Sequence, residues 1–113
     1  MVKKYIPKQG DVIFLNFNPT KGHEQTGLRP AVVISKEKFN KYTSMAIICP
    51  ITTNTKKFPT HYELLNTKKV KGSVLCEHIR SIDFNARKLS FVEKIERDEL
   101  EEIIDIINGL IEI

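Results

Sequence analysis

The residues best suited to chemistry lie in one polar segment, residues 18–30, which reads NPTKGHEQTGLRP. Within it, His23, Glu24 and Gln25 are consecutive, and the guanidinium of Arg29 follows four residues later. Imidazole and carboxylate groups can accept and donate protons, and a planar guanidinium matches the oxygens of a phosphate. This combination is suited to acid–base chemistry on a phosphate ester.

The flanking sequence predicts that this loop joins two strands. Residues 11–17 are rich in β-branched and aromatic side chains, and residues 31–35, which follow Pro30 directly, are also rich in β-branched side chains. Pro30 biases Arg29 toward an extended conformation, because the proline ring clashes with a helical preceding residue. We therefore expect a rigid strand to present Arg29 at the edge of a polar loop.

The rest of the chain reads as short strands separated by turns, closed by one helix. We predict a helical turn within 36–42, strands at 45–49, 61–65, 73–79 and 88–93, and a turn at 80–83. Asp98 is predicted to cap the final helix, with Glu101 at the capping-box position. Short strands at this spacing favour a mainly β, antiparallel barrel or sandwich over a parallel α/β fold.

Length and composition predict one small domain, residues 1–113, in the cytoplasm. The chain has neither an apolar run of the roughly 20 residues that span a bilayer nor a signal peptide at its start. Cys49 and Cys76 lie in apolar runs without metal-ligand spacing, so buried, reduced thiols are expected. His61 and His78 are interpreted as surface or strand residues for the same reason.

Charge is distributed unevenly along the chain. Residues 1–92 contain 16 Lys and Arg against 6 Asp and Glu, a net +10, and residues 93–113 contain 2 against 8, a net −6. A basic body suits a polyanion such as nucleic acid, because phosphate neutralisation supplies much of the affinity in such complexes. A solvated lysine-rich surface explains the charge equally well.

The loop and its neighbours resemble the MazF/PemK (Kid) family of toxin endoribonucleases. The family signature G-x-E-Q-x-x-x-R-P matches residues 22–30. Cys49 to Thr53, CPITT, resembles the P-x-T-[TS] strand end of the family, and residues 75–83, LCEHIRSID, resemble a later segment. The resemblance extends over nearly the whole chain.

The resemblance implies a small SH3-like antiparallel β-barrel with a C-terminal helix, the PemK/Kid and CcdB-like fold. It also implies a homodimer that cuts single-stranded RNA at a short sequence, leaving 2′,3′-cyclic phosphate and 5′-hydroxyl ends without a cofactor or metal. The expected protein partner is a cognate antitoxin of a type II toxin-antitoxin system, and no membrane is involved. A non-catalytic toxin of the same fold that poisons DNA gyrase is the alternative.

The resemblance assigns Arg29 and Thr52 as the central catalytic pair. His23 and Glu24 are the candidates for proton transfer, and which of them is the base stays open. Leu75 and Glu77 stand where Kid has arginine and aspartate, so the full catalytic set of Kid is not expected here.

Substrate binding is expected to involve loop cations, exposed aromatic rings and polar residues near the catalytic pair. Lysines can follow a phosphate backbone, and a phenylalanine ring can stack on a splayed base. The predicted contacts are Gln25, Thr53, Phe17, Lys56, Lys57, Phe58 and Glu77, and further lysines stand at 68, 69 and 71. The lysines could equally serve solubility.

The predicted C-terminal helix has a broad apolar stripe. Leu100, Ile103, Ile104, Ile107, Leu110 and Ile111 follow the helical period, and Ile106 and Ile113 widen the stripe. Burial in a dimer and burial in a large intramolecular core explain this pattern equally well.

Overall fold

The computed structural model describes residues 4–17, 27–54 and 56–113. The elements in chain order are β1 (Asp11–Asn16), β2 (Leu28–Val33), α1 (Glu37–Thr43), β3 (Met45–Thr52), β4 (His61–Glu63), β5 (Ser73–Leu75), a 3-10 turn (Cys76–His78), β6 (Arg80–Asp83), β7 (Ser90–Lys94) and α2 (Arg97–Ile111). No helix within these ranges is both long enough and apolar enough to span a bilayer.

All the strand pairings are antiparallel, and they follow the order β4-β5-β3-β2-β1-β7. β3 is the longest strand, and β6 pairs with its first half while β5 pairs with its second half. The predicted mainly β, antiparallel architecture with a C-terminal helix is therefore confirmed. Within the described residues no ladder joins β4 to β7, so the barrel-like sheet is open between these two strands.

Two predictions for residues 73–83 are wrong. The predicted strand at 73–79 ends at Leu75 and continues as a 3-10 turn, Cys76–His78, and the predicted turn at 80–83 is the strand β6, Arg80–Asp83. The 3-10 turn between β5 and β6 buries Cys76 and moves the chain from one half of β3 to the other. The length of β3 allows both strands to pair along it.

Side chains alternate between two cores on opposite faces of the sheet. Val12, Val32 and Ile51 share the first core with Ile103 and Ile107 of α2. The second core comprises Ile13, Leu15, Phe17, Ala31, Val33, Ala46, Ile48, Ile82 and Phe84. Cys49 and Cys76 are buried, free thiols, as predicted, and burial raises the pKa of Cys76 to about 12.

The helix start differs from the prediction. Glu96, not Asp98, is the N-cap residue, and no side chain caps the helix there. Glu99 instead carries a buried carboxylate that accepts hydrogen bonds from the Tyr62 hydroxyl at 3.0 Å and the Leu65 backbone N–H at 2.8 Å. The first turn of α2 is therefore tied to β4 and the loop after it. The apolar stripe is divided, since Ile103 and Ile107 are buried whereas Ile111 is 73% exposed.

Candidate active site

Arg29 and Thr52 lie on neighbouring strands at the same end of the sheet. β2 pairs with β3 through Ala31 opposite Pro50 and Val32 opposite Cys49. Continuing this antiparallel register by two residues brings Arg29 opposite Thr52. Because side chains alternate along a strand, both residues occupy positions on the same face of the sheet. Arg29 and Thr52 thus stand on adjacent strands, each two residues beyond the last recorded pair of β2 and β3, Ala31 with Pro50.

The base of the polar loop is closed by backbone contacts. The N–H of Phe17 donates a 2.9 Å hydrogen bond to the carbonyl of Gly27, whose φ of +86° favours glycine. Pro30 and Arg29 then pair with Phe14 and Leu15 of β1. Arg29 is half-buried and held within the sheet. The candidates His23, Glu24 and Gln25 lie outside the described residues.

The backbone of Thr52 is closely packed against the strand and the glycine beside it. Thr52 pairs with Ser73 of β5, and its hydroxyl accepts a 3.2 Å hydrogen bond from the backbone N–H of Asn54. Gly72 has a φ of +138°, and a Cβ atom there would lie only 2.3 Å from the carbonyl oxygen of Thr52. Thr52 is therefore oriented by its neighbours on both sides, while Thr53 is exposed beside it.

A groove extends from Thr52 across β5 and β4. Its inner part, about 190 Å³, is lined by Thr52, Asn54, Lys56, His61, Leu75, Glu77 and His78. Its outer part, about 480 Å³, is lined by Thr53, Asn54, Lys57, Phe58, His61, Glu63, Lys71, Gly72 and Ser73. The two parts share Asn54 and His61, and together they hold five of the predicted contacts: Thr53, Lys56, Lys57, Phe58 and Glu77.

Phe17 does not line this groove. Its ring is fully buried in the second core, with the Arg80 guanidinium carbon 5.7 Å from the ring centroid. The predicted stacking of Phe17 on a base is therefore wrong, because the ring has no exposed face. Phe58 is 59% exposed, and its ring centroid lies 5.5 Å from that of His61. An aromatic wall is therefore present, built by Phe58 and His61.

Glu77 is fixed at the inner part of the groove by two side chains. Its carboxylate accepts a 2.8 Å hydrogen bond from the Thr60 hydroxyl, and its other oxygen lies 2.7 Å from His61 Nε2. Partial burial would raise the pKa of Glu77, but hydrogen bonds from its own backbone, His61 and Thr60 outweigh it and hold the pKa below its ordinary value. Glu77 is therefore an ionised acceptor in the groove.

His61 is the site residue that the sequence analysis missed. The sequence indicates only a surface or strand residue, and His61 does begin β4, but its Nδ1 also lies 3.4 Å from the carbonyl of Lys56, so it links the loop to Glu77. Its position follows from the pairing of His61 with Leu75, which no local pattern in the sequence encodes. No group of three His, Cys, Asp or Glu suited to a metal ion occurs within the described residues.

Comparison with known proteins gives consistent matches along the whole chain. Residues 8–111 match the family model described as PemK-like, MazF-like toxin of type II toxin-antitoxin system. The chain is 39% identical over 111 residues to the endoribonuclease toxin MazF of Escherichia coli K12, covering 98% of this chain and 99% of the relative. It is 38% identical to the endoribonuclease MazF of Staphylococcus saprophyticus, covering 91% and 92% respectively.

Solved structures show the same fold. MazF from Deinococcus radiodurans superposes with a TM-score of 0.92 at 34% identity, covering 97% of this chain and all of the other. A MazE–MazF structure from the same organism gives a TM-score of 0.84 at 30% identity, covering 97% and 99%. The fold implied by the resemblance is thereby confirmed.

Proposed function

We infer that the chain is an endoribonuclease toxin, because it belongs to the PemK-like, MazF-like family of toxins of type II toxin-antitoxin systems. We propose that it cuts single-stranded RNA through Arg29 and Thr52. The observation that supports the proposal is that Arg29 and Thr52 stand on the adjacent strands β2 and β3, each two residues beyond the pair Ala31 and Pro50, and that Thr52 lines the groove. The names of both relatives favour RNA cleavage over the alternative of gyrase poisoning.

In the proposed reaction the ribose 2′-hydroxyl attacks the adjacent phosphorus. The new O–P bond forms a 2′,3′-cyclic phosphate as the bond to the 5′-oxygen breaks, leaving a 5′-hydroxyl end. A base accepts the 2′-hydroxyl proton, and an acid supplies a proton to the leaving oxygen. Arg29 stabilises the negative charge on the phosphorane, and the Thr52 hydroxyl donates a hydrogen bond to a phosphate oxygen. No cofactor takes part.

Proton transfer is assigned to His23 and Glu24, which precede Arg29 in the family signature. Imidazole titrates near neutral pH, and a carboxylate acts as a base once it is partly desolvated. Gln25 and Thr53 complete the contacts next to the reacting phosphate. The choice of base between His23 and Glu24 decides the pH profile of cleavage.

The groove supplies the remaining substrate contacts. Lys56 and Lys57 follow the RNA backbone, the exposed ring of Phe58 stacks on a base, and the ionised Glu77 accepts a hydrogen bond from a base amino group. The oriented carboxylate supports a sequence-specific contact, because its two hydrogen-bonding partners fix its direction.

We further propose that residues 1–113 form one toxin domain that acts as a homodimer in the cytoplasm and is inhibited by a cognate antitoxin. The structure of MazF with MazE from Deinococcus radiodurans, at 30% identity, supports the antitoxin partner. The net charge of +10 over residues 1–92 favours an acidic antitoxin segment.

The test is to incubate the protein with a long unstructured RNA in excess EDTA and to map every fragment end. We expect discrete cuts with 2′,3′-cyclic phosphate ends, and a loss of at least about a hundredfold in rate for Arg29→Ala. Arg97→Ala removes an arginine that is 88% exposed and serves as the matched control. Intact RNA, or equal cutting by Arg29→Ala, would refute the proposal.

A further inference from the structure

A second basic and aromatic surface lies on α1, away from the groove. We define the α1 patch as Lys36, Lys38, Phe39, Lys41 and Tyr42, which line an open groove of about 760 Å³. Neither the family signature nor the catalytic proposal gives it a role. Tyr42 is 91% exposed and Phe39 is 42% exposed, although both are aromatic.

The patch is not needed to attach α1 to the protein. Asn40 is the one buried residue of the helix, and its side-chain amide donates to the carbonyl of Pro7 at 2.8 Å and to that of Ser35 at 3.2 Å. The two aromatic residues stand three positions apart, so they lie on one side of the helix. They are presented to solvent by a helix that is anchored from its other side.

The charged groups that line the groove with the two rings are lysine amines. No carboxylate within the described residues lies within 4.0 Å of the amines of Lys36, Lys38 or Lys41. Glu37 is the one acidic residue of α1, and it does not line the groove. Amines available for phosphates beside exposed rings are the features with which proteins bind single-stranded nucleic acid.

The topology places this patch at the far end of the catalytic strands. β2 and β3 carry Arg29 and Thr52 at one end, and α1 connects their opposite ends. The length of β3, from Met45 to Thr52, is roughly 23 Å at the usual rise of a strand. An RNA that reaches both surfaces must therefore extend several nucleotides beyond the cut.

We propose that the α1 patch is an exosite that binds a flanking single-stranded segment of the RNA substrate. Tyr42 and Phe39 stack on bases, and the three lysines contact phosphates. Stacking tolerates any base, so the exosite favours long, unstructured RNA without changing the sequence that is cut. The proposal rests on the endoribonuclease function proposed above and adds a preference for substrate length.

The experiment compares a short RNA that contains only the cleavage sequence with a long RNA in which the same sequence has unstructured flanks. The exosite variant is Lys38→Gln/Lys41→Gln/Tyr42→Ser. The control, Lys4→Gln/Arg97→Gln, removes two positive charges from other exposed residues. kcat/KM is measured for both RNAs at several salt concentrations.

We expect the protein and the control to cut the long RNA at least about fivefold more efficiently than the short RNA, as one stacked base would provide. The exosite variant should lose this advantage, keep its rate on the short RNA, and show a salt slope smaller by about 0.7 for each lost phosphate contact. Equal loss in the control, or an unchanged long-RNA advantage in the variant, would overturn the exosite.

Two further outcomes distinguish the exosite from the catalytic function and from a protein-binding site. If the protein fails to cut even the short RNA, the proposed function fails, whereas normal cutting of the short RNA with no length preference refutes the exosite alone. If the variant instead loses binding to a polyglutamate peptide while its RNA kinetics stay unchanged, the patch is a site for acidic protein segments and the RNA proposal is wrong.

Discussion

The two loops that flank β4 are held in different ways. Residues 64–72, between β4 and β5, are fixed by carboxylates from the acidic end of the chain: Glu93 accepts hydrogen bonds from the backbone N–H groups of Lys68, Lys69 and Val70, and Glu99 accepts one from Leu65. In the loop between β3 and β4, the Lys56 carbonyl lies 3.4 Å from His61 Nδ1, and the Thr60 hydroxyl donates to the Glu77 carboxylate that His61 also contacts. We call residues 64–72 the support loop, and we call the loop between β3 and β4, which carries the exposed groups of the groove, the groove loop.

This difference gives a structural role to the acidic residues 93–113, which follow the basic residues 1–92. The acidic residues 93–113 are not a free acidic tail, because two of their carboxylates bind backbone N–H groups inside the fold. The support loop, residues 64–72, is therefore held by the carboxyl groups of Glu93 and Glu99, whereas the groove loop between β3 and β4 keeps Lys56, Lys57 and Phe58 exposed. Perturbing the first loop should alter stability, and perturbing the second should alter activity.

The largest effect is expected for Glu99→Ala. The carboxylate is 2% exposed, and its loss leaves the N–H of Leu65 and the hydroxyl of Tyr62 without their acceptor. We expect the free energy of unfolding to fall by about 2–4 kcal/mol in urea denaturation. Glu101→Ala, in an exposed ion pair with Arg97, should change it by less than about 1 kcal/mol. Similar losses in both variants would argue against the supporting role of Glu99.

Gly72→Ala changes a residue of the support loop and should displace the proposed catalytic residue Thr52. The added Cβ would lie 2.3 Å from the carbonyl oxygen of Thr52, so the strand end must move. We expect RNA cleavage to slow by about a hundredfold, since small misplacements of a catalytic group are costly. Gly109→Ala, which meets no atom within 4 Å, is the control. Unchanged cleavage by Gly72→Ala would show that the position of Thr52 is not critical.

The free energy of unfolding should depend on pH through Glu93, whose carboxylate holds the support loop. Partial burial would raise the pKa of Glu93, but three backbone N–H donors outweigh it and hold the pKa below the ordinary 4.5. A lowered pKa in the folded state stabilises the protein above pH 4.5, and this contribution is lost as the pH falls through the lowered value. Glu93→Gln should flatten the decline in unfolding free energy below pH 4.5. The exposed Glu112→Gln should leave it unchanged.

The smallest effect is expected for His61→Gln, which tests the groove loop. The ring bridges the Lys56 carbonyl and Glu77, so its loss should release the Glu77 carboxylate and raise KM about tenfold with little change in stability. His78→Gln removes a second imidazole from the same groove, and it should have a smaller effect because His78 Nε2 lies 4.0 Å from the Glu77 carboxylate, beyond hydrogen-bond distance. A fall in kcat at constant KM would contradict a role in substrate binding.

The sequence predicted those features that depend on local patterns. β-branched runs indicated β1 and β3, and the 3.6-residue period indicated α2. The division of residues 73–83 into β5, the 3-10 turn and β6 depends on pairing with two halves of one distant strand, which local periodicity does not record. Asp98 was a reasonable cap by type, but contacts of Glu99 with residues more than 30 positions away determine that helix start.

The site was predictable only in part for the same reason. Arg29 and Thr52 are assigned by resemblance, and the structure adds that they stand on the adjacent strands β2 and β3. The alternation of Phe17 with Ile13 and Leu15 was the available signal that its ring is buried. The link from His61 to Glu77 spans 16 residues and was visible only in the folded chain.

A double-mutant cycle measures the central claim, that Arg29 and Thr52 act on one phosphate. Cleavage of one defined RNA is compared for Arg29→Ala, Thr52→Ala and the double variant, with folding verified by thermal unfolding. If the residues act together, the double variant should be about as slow as the slower single variant, because removing either one disables the shared step. Rate losses that multiply in the double variant would contradict the account.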